Sequence, residues 1–90
     1  MERHWYLYVI QCKDGTLYTG ITMDVPKRFA QHCAGKGAKY TRGRTPLALI
    51  YQEKCENHSE ALKRELQVKA MPKEKKWELI RSAGKGKEIL

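Results

Sequence analysis

Residues that cross-link or anchor a chain are few. The three cysteines, Cys12, Cys33 and Cys55, are an odd number without close spacing, so no disulfide framework is expected and a reducing, cytoplasmic interior is the simplest home. None has the spacing of a zinc knuckle, and the neighbours His32 and Cys33 would leave a helix in different directions, which argues against structural zinc. The longest apolar runs are far shorter than a membrane span. The opening Met1-Glu2-Arg3-His4 lacks the basic-then-apolar plan of a signal peptide, so no membrane association is expected. Acids are scarce as well, 10 against 18 Lys and Arg, which gives a formal charge of +8 over 90 residues. An excess of that size on a small body attracts polyanions, and nucleic acid is the first partner to consider.

There is no internal repeat and no dividing linker. The chain reads as one domain over residues 1–83, followed by a flexible basic tail at 84–90 around Gly84-Lys85-Gly86-Lys87. A domain of this length removes roughly 60 to 65% of its unfolded surface from water.

Residues His4 to Cys12 are rich in aromatic and β-branched types and read as a strand, Lys13-Asp14-Gly15 as a turn, and Thr16 to Thr22 as the returning strand. Loop length decides which side chains share a face. A two-residue turn at Asp14-Gly15 sends Tyr8 and Tyr18 to opposite faces. A three-residue loop with Gly15 left-handed pairs Cys12 with Thr16 and Ile10 with Tyr18, and the two tyrosines then share a face. The longer loop also sorts the chemistry: Trp5, Leu7, Val9, Leu17 and Ile21 form an apolar side, and Tyr6, Tyr8, Ile10, Tyr18 and Gly20 a side of aromatic hydroxyls with a gap. It is therefore preferred. Read alone, these tyrosines are equally well ordinary strand residues with satisfied hydroxyls.

Asp24 is a good N-cap and Pro26 suits a first turn, which predicts a helix from Val25 to Cys33, ending before Gly35. Phe29, Ala30 and Cys33 are expected to face the core, while Arg28 and His32, four apart, share a neighbouring stripe. The following stretch, Gly35 to Pro46, carries Lys36, Lys39, Arg42 and Arg44 without an acid. Its glycines let backbone amides approach a phosphate, and Tyr40 can stack on a base or sugar. It reads as a basic loop for a nucleic-acid backbone, without the spacing of a nucleotide-binding P-loop.

Leu47 to Cys55 is a third strand. Asn57, with Glu60 three residues on, opens a second helix through Ala70. In it Glu65 lies among the inward positions marked by Ala61, Leu62 and Val68, where a carboxylate needs a partner. That partner is an arginine such as Arg28, or a metal ion. Met71-Pro72 breaks the helix, and Lys73 to Arg81 forms a third, anchored by Trp77 and Ile80. The fold class is α+β in the order β-β-α-β-α-α.

Tyr6-Leu7-Tyr8, Tyr18-Thr19-Gly20, the Arg28 and His32 pair and the later helical Glu65 together resemble the GIY-YIG nuclease superfamily, in particular its short single-domain bacterial members. The resemblance implies a small three-stranded antiparallel sheet flanked by helices, and metal-dependent endonuclease cleavage of phosphodiester bonds in DNA or, less expectedly, RNA. By it Tyr8 and Tyr18 are the motif tyrosines, one of which orients or deprotonates the attacking water. Arg28 binds the phosphate, and His32 contacts it or shuttles a proton. Glu65 is the single acidic ligand of one Mg²⁺ or Mn²⁺ ion. Family members with repair or homing roles carry further DNA-binding domains, which are missing here, so target choice is expected to be structure-guided or weakly specific. No obligate protein partner is implied. The reading from another class is a non-catalytic nucleic-acid-binding module that keeps the fold and the basic loop.

Overall fold

Apolar and tyrosine-bearing positions alternate from Trp5 to Thr22, and this period of two makes a hairpin with two unlike faces. The computed structural model describes residues 4–36 and 46–86. Strands β1 (Trp5–Cys12) and β2 (Leu17–Thr22) pair antiparallel, with Ile10 opposite Tyr18 and Tyr8 opposite Gly20. The turn is the three-residue form: Cys12 N–H donates to the Thr16 carbonyl, Gly15 N–H donates to the Cys12 carbonyl, and Gly15 takes φ +87°. That left-handed conformation suits glycine, and it fixes which residues share a face.

Strand β3 (Pro46–Cys55) pairs antiparallel with the other side of β1, giving the order β2-β1-β3. Its register shifts between Val9 and Ile10 and again between Gln11 and Cys12. Helix α1 (Val25–Cys33) follows β2, while α2 (His58–Lys69) and α3 (Lys73–Gly86) follow β3. The fold is thus α+β, a three-stranded antiparallel sheet flanked by helices in the order β-β-α-β-α-α. Among the described residues, no helix is long and apolar enough to cross a membrane.

Each face of the sheet carries a core. On one, Leu7, Val9 and Cys55 pack with Ala61 and Val68 of α2, joined at the margins by Leu79 and Ile80 of α3. On the other, Tyr8, Ile10 and Cys12 pack with Val25, and Tyr6, Tyr18, Phe29 and Leu49 surround them. The tyrosine face is therefore covered by α1 instead of lying open. Three details of the helices differ from the sequence reading. Ala30 and Cys33 are exposed, because the buried line of α1 runs through Val25, Phe29 and His32 and those two lie about 100° off it. Leu62 of α2 is also turned out, 42% exposed. Helix α3 continues past Arg81 to Gly86; a glycine inside a helix costs about 1 kcal/mol against alanine but does not end it.

Candidate active site

The group of side chains beneath α1 follows from how abruptly that helix starts. Asp24 N–H donates to Thr22 Oγ1 at 3.2 Å, and Asp24 Oδ1 accepts from the Lys27 amide at 3.1 Å. The chain leaves β2 and turns into α1 within two residues, so α1 folds back over the face that carries Tyr8. At its far end the Gly35 and Lys36 amides donate to the His32 and Gln31 carbonyls, which closes the helix one turn after His32.

His32 is 1% exposed and lies within reach of both tyrosines. The Tyr8 hydroxyl is 3.0 Å from His32 Nε2. The Tyr18 and His32 ring centroids are 5.1 Å apart, and those of Tyr8 and Tyr18 are 6.2 Å apart. The Arg28 charge acts on Tyr8 from close by, and its Nη1 donates to Gln31 Oε1 at 2.9 Å. With the imidazole proton on Nδ1, the Tyr8 hydroxyl donates to His32 Nε2. Four of the five catalytic candidates, Tyr8, Tyr18, Arg28 and His32, thus meet in one cluster.

Burial and charge set the protonation states. Tyr8 is pushed up to about 12, first by burial and then by Tyr18, with Arg28 acting in the other direction. His32 is lowered from its ordinary 6.5 by burial and by the Arg28 charge. Both are therefore neutral at pH 7. Tyr18 is only half-buried and is the tyrosine that meets solvent.

Gly20 belongs to the same cluster. A Cβ at this position would stand 2.6 Å from the Tyr8 hydroxyl oxygen and 2.8 Å from Cζ, with Tyr18 Cε2 at 3.1 Å. The hydroxyl occupies the space a side chain would need. The signal was present in the sequence as a glycine opposite Tyr8 in the three-residue-loop register, but its closeness to the hydroxyl was not. Gln31 had no signal beyond its spacing from Arg28.

Glu65 is carried by α2, which packs on the other face of the sheet. Its side chain is 18% exposed, and Lys69 Nζ lies 3.2 Å from Oε2, so the ion-pair partner is Lys69 instead of Arg28. The helix nevertheless aims it toward β2. Successive residues are about 100° apart, so Arg64 and Glu65 flank the buried line through Ala61 and Val68 on opposite sides. Arg64 Nε donates to Glu53 Oε2 of β3 at 2.6 Å. Glu65 accordingly lies on the flank turned toward the strand of Tyr18. Among the described residues no three His, Cys, Asp or Glu side chains are grouped to hold a metal ion. Of the basic loop, Lys36 is exposed, whereas Lys39, Tyr40, Arg42 and Arg44 lie outside the described residues.

A three-stranded sheet and its first helix that gather two tyrosines, an arginine and a histidine between them define a small α+β domain with a candidate catalytic cluster. The chain belongs to the GIY-YIG family: the family model for the GIY-YIG catalytic domain matches residues 4–78. A UPF0213 protein of Cupriavidus pinatubonensis is 59% identical over 71 residues, covering 79% of each chain. One of Staphylococcus saprophyticus is 50% identical over 80 residues, covering 89% of this chain and 96% of the relative. The solution NMR structure of a UPF0213 protein from Bacillus halodurans superposes with a TM-score of 0.59 at 43% identity, covering 90% of this chain and 86% of that one.

Proposed function

We propose that this chain is a metal-dependent endonuclease that hydrolyses phosphodiester bonds in nucleic acid, DNA in preference to RNA, and selects its target by structure or with weak sequence preference. The observation that carries this reading is the Tyr8 to His32 hydrogen bond with Arg28 and Tyr18 on the same cluster. Membership of a nuclease family agrees with it.

A phosphodiester is an anion that water attacks slowly, so the site must stabilise charge on a five-coordinate phosphorus and accept the water's proton. Arg28 supplies donors to the phosphate oxygens. Tyr18, open to solvent, orients the water. Tyr8 is too deeply buried, and its proton too firmly held, to act as a free phenolate at neutral pH. Its part is to pass a proton to His32 Nε2 as it receives one from the direction of the water. His32 starts neutral, as an acceptor must.

Glu65 is the residue that would hold the ion. Magnesium and manganese keep most of their waters and accept one or two carboxylates, and a part-buried carboxylate paired with one half-exposed lysine meets that need. When bound, the ion supplies positive charge to the phosphate and to the leaving oxygen. Lys36, with Lys39, Tyr40, Arg42 and Arg44, would grip the backbone beyond the scissile phosphate.

The test is cleavage of labelled single-stranded, nicked, flapped and branched DNA and RNA with Mg²⁺, Mn²⁺ or EDTA, comparing the wild type with Glu65→Gln. Cleavage that needs both the ion and Glu65 is expected. Equal cleavage by the variant would remove Glu65 from the site, and tight binding without turnover would favour the non-catalytic binding module.

A further inference from the structure

Arg28 is held by an uncharged neighbour. Gln31 lies three residues on, on the same face of α1, and its Oε1 accepts from Arg28 Nη1 at 2.9 Å. The Gln31 carbonyl in turn accepts from the Lys36 amide at 2.8 Å, in the turn that ends the helix. Backbone and side chain are therefore both fixed. Tyr8, the other residue of the cluster on which the Arg28 charge acts, is neutral as well. A guanidinium has five N–H donors, and the bond to Gln31 leaves others for a ligand without cancelling the charge.

We infer that Gln31 is a positioning residue which orients Arg28 for an anionic phosphate while leaving its positive charge uncompensated. The chemistry depends on the difference between an amide and a carboxylate. Either would accept the Nη1 hydrogen bond with nearly the same shape. A carboxylate at position 31 would also form an ion pair, and Arg28 would then be a neutral dipole from the point of view of an incoming phosphate. Helical propensity offers no reason for the choice, since Gln and Glu are about equal there.

This inference deepens the nuclease reading and rests on it for the identity of the anion, but its test does not need cleavage. The probe is a labelled single-stranded oligonucleotide titrated in EDTA at several salt concentrations, against wild type, Gln31→Glu, Gln31→Met and Ala30→Glu. Each phosphate neutralised on a single strand contributes about 0.7 to the slope of log affinity against log salt. Gln31→Glu is expected to lower the slope by about that amount. Ala30→Glu adds the same charge to the same helix at an exposed position that does not face Arg28, and is expected to keep the wild-type slope. Gln31→Met fills the space without a strong acceptor, so Arg28 keeps its charge and loses its orientation: the slope is expected to stay and the affinity at each salt concentration to fall.

Where cleavage is measurable, Gln31→Glu is expected to lose on the order of 10²-fold in kcat, as when one electrostatic donor is removed. Placed on an Arg28→Ala background, the same change should cost almost nothing further. Equal slopes for Gln31→Glu and Ala30→Glu would overturn the inference, as would an undiminished loss on the Arg28→Ala background. If no variant and no wild type cleaves, the nuclease reading falls and the salt slopes still decide the role of Gln31.

Discussion

The Tyr8 hydroxyl and His32 Nε2 lie 3.0 Å apart across 24 residues of chain, and both side chains are 1% exposed. One hydrogen bond therefore ties the hairpin to the helix that covers it, and the same two residues belong to the core and to the candidate site. Tyr8→Phe withdraws a partner from a ring nitrogen that stays buried. The expected cost is about 1–3 kcal/mol, which for a domain of this size is a fall in Tm of roughly 5–20 °C. Thermal unfolding followed by circular dichroism measures it, and an unchanged Tm would show that His32 is satisfied without Tyr8.

Acid should weaken the fold through His32. Its native pKa lies below its ordinary value because of burial and Arg28, so between the two values the unfolded chain binds a proton that the folded chain does not. Stability then rises with pH, is complete above the unfolded value of about 6.5, and is lost as pH falls through the native one. Urea midpoints measured from pH 8 down to pH 5 should decline below neutrality in the wild type. His32→Gln, which has no such titration, should be flatter over that interval; an identical decline would assign the proton to another group.

Gly20→Ala should disturb Tyr8 before anything else. The added methyl group would stand 2.6 Å from the hydroxyl oxygen, and Tyr8 is too well packed to move freely. Overpacking of this kind costs about 1–3 kcal/mol. Combining it with Tyr8→Phe removes the nearest atom, so the pair should be less destabilised than the sum of the single changes. Strict additivity in urea unfolding would mean that the backbone, and not the hydroxyl, absorbs the clash.

What could be read from the sequence followed from rules of period. The hairpin register came from face chemistry and a glycine-bearing turn, helix α1 from Asp24 and Pro26, and α2 from Asn57. The family resemblance then supplied roles for Tyr8, Tyr18, Arg28 and His32, and the cluster of those four is where the fold brings them. Two things were not legible. The burial of His32 in place of Ala30 and Cys33 depends on the rotation of α1 over the sheet, which the strand it packs against determines. The pairing of Glu65 with Lys69 instead of Arg28 depends on which face α2 covers, and a helical pattern gives an inward side without saying which layer lies beneath it.

Thr19, between Tyr18 and Gly20, points to the apolar face opposite Val9, and its Oγ1 is buried without a hydrogen-bond partner. An unpaired buried hydroxyl costs about 1–3 kcal/mol. Thr19→Val replaces it with a methyl group of similar size and should raise Tm. A lower Tm would indicate that the hydroxyl has a partner in solution, such as a buried water.

The flank of α2 away from Glu65 is tied to β3. Arg64 reaches Glu53 through Nε at 2.6 Å and Nη2 at 3.3 Å, and the Tyr51 hydroxyl donates to the same carboxylate at 2.5 Å. Burial, followed by that carboxylate, holds Tyr51 up at about 12. The triad is part-buried and bridges β3 to the helix, so it fixes the rotation of α2 about its own axis. On that rotation depends the direction of Glu65, one residue further on. Arg64→Met keeps the length of the side chain and removes the charge-assisted bonds, at an expected cost of about 1.5–3 kcal/mol. If Glu65 holds the ion, the variant should also need several-fold more Mg²⁺ for half-maximal cleavage while still reaching turnover at saturation. A stability loss with an unchanged Mg²⁺ requirement would separate the two roles, and would mean that Lys69 and the packing of Ala61 and Val68 suffice to direct Glu65.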